Sequence, residues 1–263
     1  MEACGTQVLK LNIGNPAPFG FRTPDEVIYD MSHQLTDCEG YSPSQGLFSA
    51  RKAIMQYAQL KKLPNVSIDD IYTGNGVSEL INLCMSALLD DGDEILIPSP
   101  DYPLWTACAT LAGGKAVHYI CDEQSEWYPD IDDMRKKITD RTKAIVIINP
   151  NNPTGTYVPI GELEAFADTL PEDVLLVMDE AYMEFATEPD CCSMVDYMKA
   201  HPEKPILVLR TFSKYYAMAG LRVGYALGSE ELIGIMRKCS ASWNLNVCLL
   251  YTSPSPRDMR RSR

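Results

Sequence analysis

Short apolar, β-prone runs alternate with amphipathic helical stretches along most of this chain, and that alternation limits its fold more than any other feature. The strand candidates are Ile71–Thr73, Glu94–Pro98, Ala116–Tyr119, Ala144–Ile148, Leu175–Met178, Ile206–Leu209 and Val223–Leu227. Helical periodicity falls between and around them, at Ser49–Lys62, Val77–Leu89, Tyr102–Ala112, Asp132–Ile138, Gly161–Thr169, Met194–Ala200 and Glu230–Ala241. Strands that alternate with helices form a mainly parallel sheet covered on both faces. The expected fold is therefore α/β, a three-layer sandwich around a mainly parallel seven-stranded sheet. Residues 1–40 show weak periodicity and many turn residues, and read as an arm plus part of a smaller domain. Residues 41–247 read as the large domain.

In open α/β sheets ligands bind beyond the carboxyl ends of the strands, and three of these ends carry reactive side chains. The run Ile206–Leu209 leads into Arg210-Thr211-Phe212-Ser213-Lys214, with Arg222 eight residues further on. A lysine desolvated beside a second cation has a lowered pKa and becomes a nucleophile able to form a Schiff base. Thr211, Ser213 and Arg222 suit a phosphate. The run Val174–Met178 leads into Asp179-Glu180-Ala181-Tyr182. A buried aspartate needs a hydrogen-bonding or cationic partner. The protonated ring nitrogen of pyridoxal phosphate is such a partner, and that cofactor also takes a Schiff-base lysine. A simpler alternative is that Asp179 caps the next turn. The third run, Ala144–Ile148, ends in Asn149-Pro150-Asn151-Asn152-Pro153-Thr154-Gly155, a turn set by two prolines and a glycine. Upstream, Gly74-Asn75-Gly76-Val77-Ser78-Glu79 opens an apolar helix, and a glycine-rich turn into a helix N-terminus suits phosphate.

These residues resemble the class I/II aminotransferases, the fold-type I pyridoxal-phosphate enzymes. The family motifs N-P-x-N-P-T-G, D-E-x-Y and S-K-x-x-x-x-x-G-x-R-x-G stand here as Asn149–Gly155, Asp179–Tyr182 and Ser213–Gly224. The resemblance implies that Lys214 holds the cofactor as a Schiff base and moves a proton between the substrate Cα and C4′. It implies that Asp179 pairs with the ring nitrogen and that Asn152 and Tyr182 contact O3′. Thr211, Ser213, Arg222 and the amides of Gly76, Val77 and Ser78 would bind the phosphate. Tyr102 would stack on the ring, and Tyr41 would reach the phosphate of the neighbouring subunit of a homodimer. Gly14 would lie in a segment that closes over substrate, and Asn152 would also face the substrate carboxylate.

Two subfamilies are echoed. Residues 7 to about 155 resemble bacterial alanine (glutamate–pyruvate) aminotransferases, as in I-Y-T-G-N-G-V-S-E-L-I and P-S-P-D-Y-P-L-W-T-A. Residues from about 156 to 247 resemble histidinol-phosphate aminotransferases, as in D-E-A-Y-M-E-F and L-R-T-F-S-K. The expectation is a join of two sequences at the shared N-P-N-N-P-T-G turn. The implied reaction exchanges an amino group between an L-amino acid, alanine first, and a 2-oxo acid such as 2-oxoglutarate or pyruvate. The rival substrates are histidinol phosphate and 2-oxoglutarate. The family's C-terminal small domain and the arginine that clamps the substrate α-carboxylate have no counterpart, so a non-catalytic cofactor-binding fragment is the third possibility.

Composition excludes other classes. A formal charge of −13 over 263 residues argues against a nucleic-acid partner. Three histidines with no H-E-x-x-H argue against a metal hydrolase, and no metal is expected. Nine cysteines without metal spacing, with Cys84, Cys108 and Cys239 in apolar helical stretches, are expected as buried free thiols in a reducing cytoplasm. No signal peptide or membrane-spanning run is visible. Residues 248–263, with four arginines against one aspartate, resemble a translated sequencing adapter and are expected to be an unstructured artefact.

Overall fold

The computed structural model describes residues 5, 14–242 and 244–246. Among the described residues the seven apolar runs become strands and one more joins them: β1 (Ile71–Gly74), β2 (Glu94–Ser99), β3 (Lys115–Asp122), β4 (Tyr128–Pro129), β5 (Thr142–Ile148), β6 (Leu175–Asp179), β7 (Ile206–Thr211) and β8 (Gly224–Leu227). They form one sheet in the order β1-β8-β7-β6-β5-β2-β3-β4. The five strands from β7 to β3 run parallel. β8 is antiparallel to both β7 and β1, and β4 is antiparallel to β3. The sheet thus has eight strands where seven were expected. The extra one, β4, is two residues long and ends in proline, too short to show a period.

Among the described residues eight α-helices accompany the sheet: α1 (Asp25–His33), α2 (Phe48–Leu60), α3 (Gly76–Leu88), α4 (Leu104–Leu111), α5 (Ile131–Lys137), α6 (Ile160–Asp168), α7 (Val195–Ala200) and α8 (Glu230–Cys239). The turn-rich stretch 1–40 was not expected to hold a helix, yet α1 lies within it. Val27 is its one buried residue, so its apolar face is too narrow to read from the sequence. α4 starts two residues late because Pro103 occupies its N-cap position.

Two hydrophobic clusters lie on opposite faces of the sheet. Ile145, Ile147, Leu176, Met178 and Val208 pack with residues of α2, α6 and α7. Their neighbours Ala144, Val146, Val177, Leu207 and Leu209 pack with α3, α4 and α8. Successive strand residues point to opposite faces, so a strand apolar at every position must be covered twice. That is why the molecule has three layers.

A buried ionic network joins the carboxyl ends of β6 and β7. Arg210 donates to Glu180 Oε2 from Nε (3.0 Å) and Nη2 (2.7 Å), and from Nη1 to Glu184 Oε1 (3.1 Å). Glu180 also accepts from Ser193 Oγ and the Met194 amide. Glu180 is fully buried and Arg210 nearly so.

The seven described cysteines are free. Cys84, Cys108, Cys121 and Cys191 are buried, and burial pushes the Cys84 thiol up to about 12. Against the expectation of buried thiols, Cys38 is half-buried and Cys192 and Cys239 are exposed, Cys239 because it ends α8 after Met236, the last buried residue of that helix. Among the described residues no helix is long and apolar enough to cross a membrane.

Removing one partner of a buried ion pair strands the other charge. Glu180→Ala should therefore lower unfolding free energy by about 3–5 kcal/mol, measured by urea denaturation. A loss below about 1 kcal/mol would show that the network does not hold the strand ends.

Candidate active site

β6 ends on Asp179, which is buried. Its carboxylate accepts from the Trp105 indole Nε1–H at 3.2 Å and from the Ala181 amide at 3.1 Å. One oxygen thus caps the turn after the strand, and the other faces a ring in the first turn of α4. Burial pushes the Asp179 carboxyl up to about 6, with the Ala181 and Trp105 donors acting in the opposite direction. Trp105 is fully buried and was missed by sequence reasoning. Its only signal was an aromatic residue three places after Tyr102.

Lys214 stands three residues past the end of β7 and is half-buried. Its Nζ donates to the Gly14 carbonyl at 2.7 Å and lies 5.5 Å from the centre of the Tyr182 ring. Burial lowers its pKa, Arg222 lowers it further, and Asp179 opposes both. A Cβ on Gly14 would stand 2.7 Å from Tyr182 Oη and 3.0 Å from Lys214 Nζ. Any larger residue would occupy the space over the amine. Burial, with Asp179 and Tyr102 adding to it, raises the Tyr182 pKa.

Tyr182 and Phe185 line two cavities. One, of about 550 Å³, includes Asn152 and Pro153 from the turn after β5. The other, of about 520 Å³, includes Gly14, Arg22 and Lys214. Asn149 lines neither of these two cavities. It is fully buried and holds the turn closed through two bonds with the Val158 backbone.

A third group of residues surrounds the N-terminus of α3. The Asn75 side chain makes no capping bond to this helix. Gly76 takes a left-handed φ of 72°, and a Cβ there would lie 2.6 Å from Arg222 Nη2. Arg222 donates to Asn75 O (3.3 Å) and to Ala219 O (3.1 Å). A Cβ on Gly224 would lie 2.9 Å from backbone atoms of Arg210, Gly76 and Val77, so β8 approaches the helix start as closely as the backbone permits. The arrangement is an arginine beside first-turn amides at the positive end of a thirteen-residue helix, which suits a phosphate dianion. Ser213 is buried nearby. The Thr211 hydroxyl is engaged within the chain, donating to Val223 O (3.4 Å) and accepting from the Ser213 amide (3.0 Å). It braces the turn that carries Ser213 and Lys214.

The structure therefore gathers Lys214, Asp179, Tyr182 and Gly14, with Arg222 in electrostatic reach of the lysine. Tyr102 precedes α4 at 38 % exposure, and Tyr41 is 82 % exposed on the loop before α2. The expected tail, residues 248–263, lies outside the described residues.

The family model for aminotransferase class I and II matches residues 6–254. The glutamate-pyruvate aminotransferase AlaA of Escherichia coli K12 is 50 % identical over 229 residues, covering 86 % of this chain and 55 % of that protein. An alanine aminotransferase of Mycobacterium tuberculosis is 48 % identical over 227 residues, covering 86 % and 52 %. A histidinol-phosphate aminotransferase of Carboxydothermus hydrogenoformans is 36 % identical over 215 residues, covering 81 % and 56 %. The chain thus spans about half the length of the curated relatives it matches. A 229-residue match is also too long to end at Gly155, so the similarity to AlaA runs through the turn where a join of two subfamilies was expected. Among solved structures, an aminotransferase from Escherichia coli superposes with a TM-score of 0.86 at 43 % identity, covering 96 % of this chain and 64 % of that one. An alanine aminotransferase from Pyrococcus furiosus gives 0.87 at 35 % identity, covering 96 % and 66 %. Because the family model matches residues 6–254 of 263, the chain belongs to the class I and II aminotransferases.

Proposed function

We propose that this chain supports pyridoxal-phosphate-dependent transamination between an L-amino acid, alanine first, and a 2-oxo acid such as 2-oxoglutarate or pyruvate. The observation that carries the reading is a half-buried Lys214 and a buried Asp179 at the ends of neighbouring strands, beside an anion cradle. Alanine is favoured because the alanine aminotransferases match at 48–50 % identity and the histidinol-phosphate relative at 36 %. We assign residues 41–247 to the cofactor-holding domain and residues 1–40 to an arm and part of a smaller domain. The exposure of Tyr41 suits a role across a homodimer interface. A cytoplasmic setting suits the free cysteines.

The residues present fit the cofactor. Arg222, Ser213 and the amides of Gly76, Val77 and Ser78 would hold the phosphate through charge-assisted hydrogen bonds, with Thr211 fixing the position of Ser213. Asp179 would hold a protonated ring nitrogen, a cationic partner for a carboxylate that makes no ion pair among the described residues. Asn152 and Tyr182 would donate to O3′, and Tyr102 would cover the ring. Pyridoxal phosphate, when bound, supplies the electron sink for charge left at the substrate Cα. Burial and Arg222 lower the Lys214 pKa, which favours the neutral amine, the form in which Nζ acts as a nucleophile and as an acceptor for the Cα proton. The Gly14 carbonyl orients the free amine.

Protein mixed with pyridoxal phosphate should gain a visible absorbance band that L-alanine removes and a 2-oxo acid restores. A band indifferent to every amino acid would indicate a cofactor-binding fragment instead. Lys214→Ala should abolish the band and reduce any turnover by about 10²–10⁴-fold or more, while phosphate contacts still retain cofactor on equilibrium dialysis.

Asp179 also makes a pH-dependent prediction. Its folded-state pKa, about 6, lies above the ordinary 3.8, so the folded protein binds this proton more tightly than the unfolded chain. The stability tied to it is present below the ordinary carboxylate range and is lost as pH rises through about 6. Without cofactor, Asp179→Asn should be more stable than wild type near neutral pH by about 1–3 kcal/mol. The advantage should vanish below about pH 4. Urea unfolding at both pH values would check this, and a variant less stable at both would refute it.

A further inference from the structure

Lys214 and Arg222 bound a loop whose backbone is held in an unfavourable shape. Ala217 takes a φ of 53° and Arg222 a φ of 56°, both in the left-handed region that residues other than glycine rarely adopt. Such residues persist only where their surroundings over-determine them. The Ala217 amide donates to the Lys214 carbonyl at 3.0 Å, so the turn that begins at the lysine closes on the strained alanine.

The tie that holds this turn comes from a distant helix. Tyr216, directly before Ala217, is buried in the hydrophobic cluster that also takes in Tyr57 of α2. Its hydroxyl donates to the Tyr57 hydroxyl at 2.7 Å, across 159 residues of sequence. The two rings meet edge to face with centroids 6.3 Å apart. A second tie reaches the turn from the N-terminal segment, where Thr23 Oγ1 donates to the Ala217 carbonyl at 2.9 Å. The phenol pair is the buried one, and a buried hydroxyl that loses its partner has no water to replace it. The placement of the turn matters to the amine. Burial and Arg222 lower the Lys214 pKa while Asp179 raises it, and each of these effects changes with distance.

We infer that Tyr57 is a positioning residue for Lys214, acting through the Tyr216 hydroxyl to hold the left-handed turn that sets where the amine stands. Tyr57 itself lines neither of the two cavities at the site. The inference rests on the reading of Lys214 as the reactive amine and adds what keeps it in place.

The test compares wild type, Tyr57→Phe and the double variant Tyr57→Phe/Tyr216→Phe, all without cofactor. Each is labelled with trace acetic anhydride over a range of pH, and peptide mass mapping follows Lys214, with the exposed Lys238 of α8 as the internal standard for reagent decay. The wild-type Lys214 profile should have its midpoint below the ordinary lysine value. Tyr57→Phe removes the acceptor and leaves the Tyr216 hydroxyl unpaired. It should move the midpoint up by about half a unit, an approximately threefold loss of neutral amine at a fixed lower pH. The double variant replaces both partners with apolar rings of the same shape, a change that is nearly neutral for stability. Its urea midpoint should return towards wild type while its Lys214 midpoint stays raised. An unchanged Lys214 midpoint in Tyr57→Phe would overturn the assignment. So would a double variant that recovers both midpoints, because the pair would then act only through the unpaired hydroxyl. A wild-type Lys214 that labels as an ordinary lysine would bring down the reactive amine and this inference together. A wild type that labels early at Lys214 yet gains no visible band with pyridoxal phosphate would sink the transaminase reading alone.

Discussion

The candidate site depends on the buried ion pair between Glu180 and Arg210. Both residues sit at strand ends, one directly after Asp179 and the other directly before Thr211. Their two bonds, at 2.7 and 3.0 Å, fix the spacing between β6 and β7 at the level where those strands deliver their functional side chains. A buried ion pair is a weak source of net stability, because desolvation offsets much of the attraction. Its value here is positional. The lysine loop and the aspartate turn are both short extensions from it, so neither can shift without disturbing a charge that has no access to water.

On that frame the site holds two groups against their solution preferences. Burial raises the Asp179 pKa and lowers that of Lys214, and the mutual attraction of the two only partly opposes this. Each group therefore gains from a partner of the right charge or from a covalent bond that removes its charge. Pyridoxal phosphate offers both, a ring nitrogen for the aspartate and a carbonyl carbon for the lysine, while the α3 N-terminus and Arg222 suit its phosphate. Nearly isolated by sequence, these features meet because parallel strands place their carboxyl ends on one edge of the sheet.

Much of this was legible beforehand for a physical reason. Lys214, Asp179 and Asn152 each follow an apolar run, and strand-end position is a local property that a sequence displays. The layered fold was legible too, since runs apolar at every residue demand cover on both faces. What could not be read depends on contacts between distant segments. The bond from Trp105 to Asp179 spans 74 residues, that from Arg210 to Glu180 spans 30, and that from Lys214 to Gly14 spans 200. β4 was too short for a period and α1 too narrow in its apolar face. The exposure of Cys239 turned on where α8 ends. Nor could the sequence show that the Thr211 hydroxyl, read as a phosphate ligand by residue type, also meets Val223 O and the Ser213 amide.

The central claim is that Lys214 is the amine this fold prepares for a carbonyl compound. Borohydride reduction of the protein incubated with pyridoxal phosphate, followed by proteolysis and mass mapping, tests it most directly. The account predicts one label per chain, on the peptide that contains Lys214. Label on a different lysine, or spread over several, would contradict it.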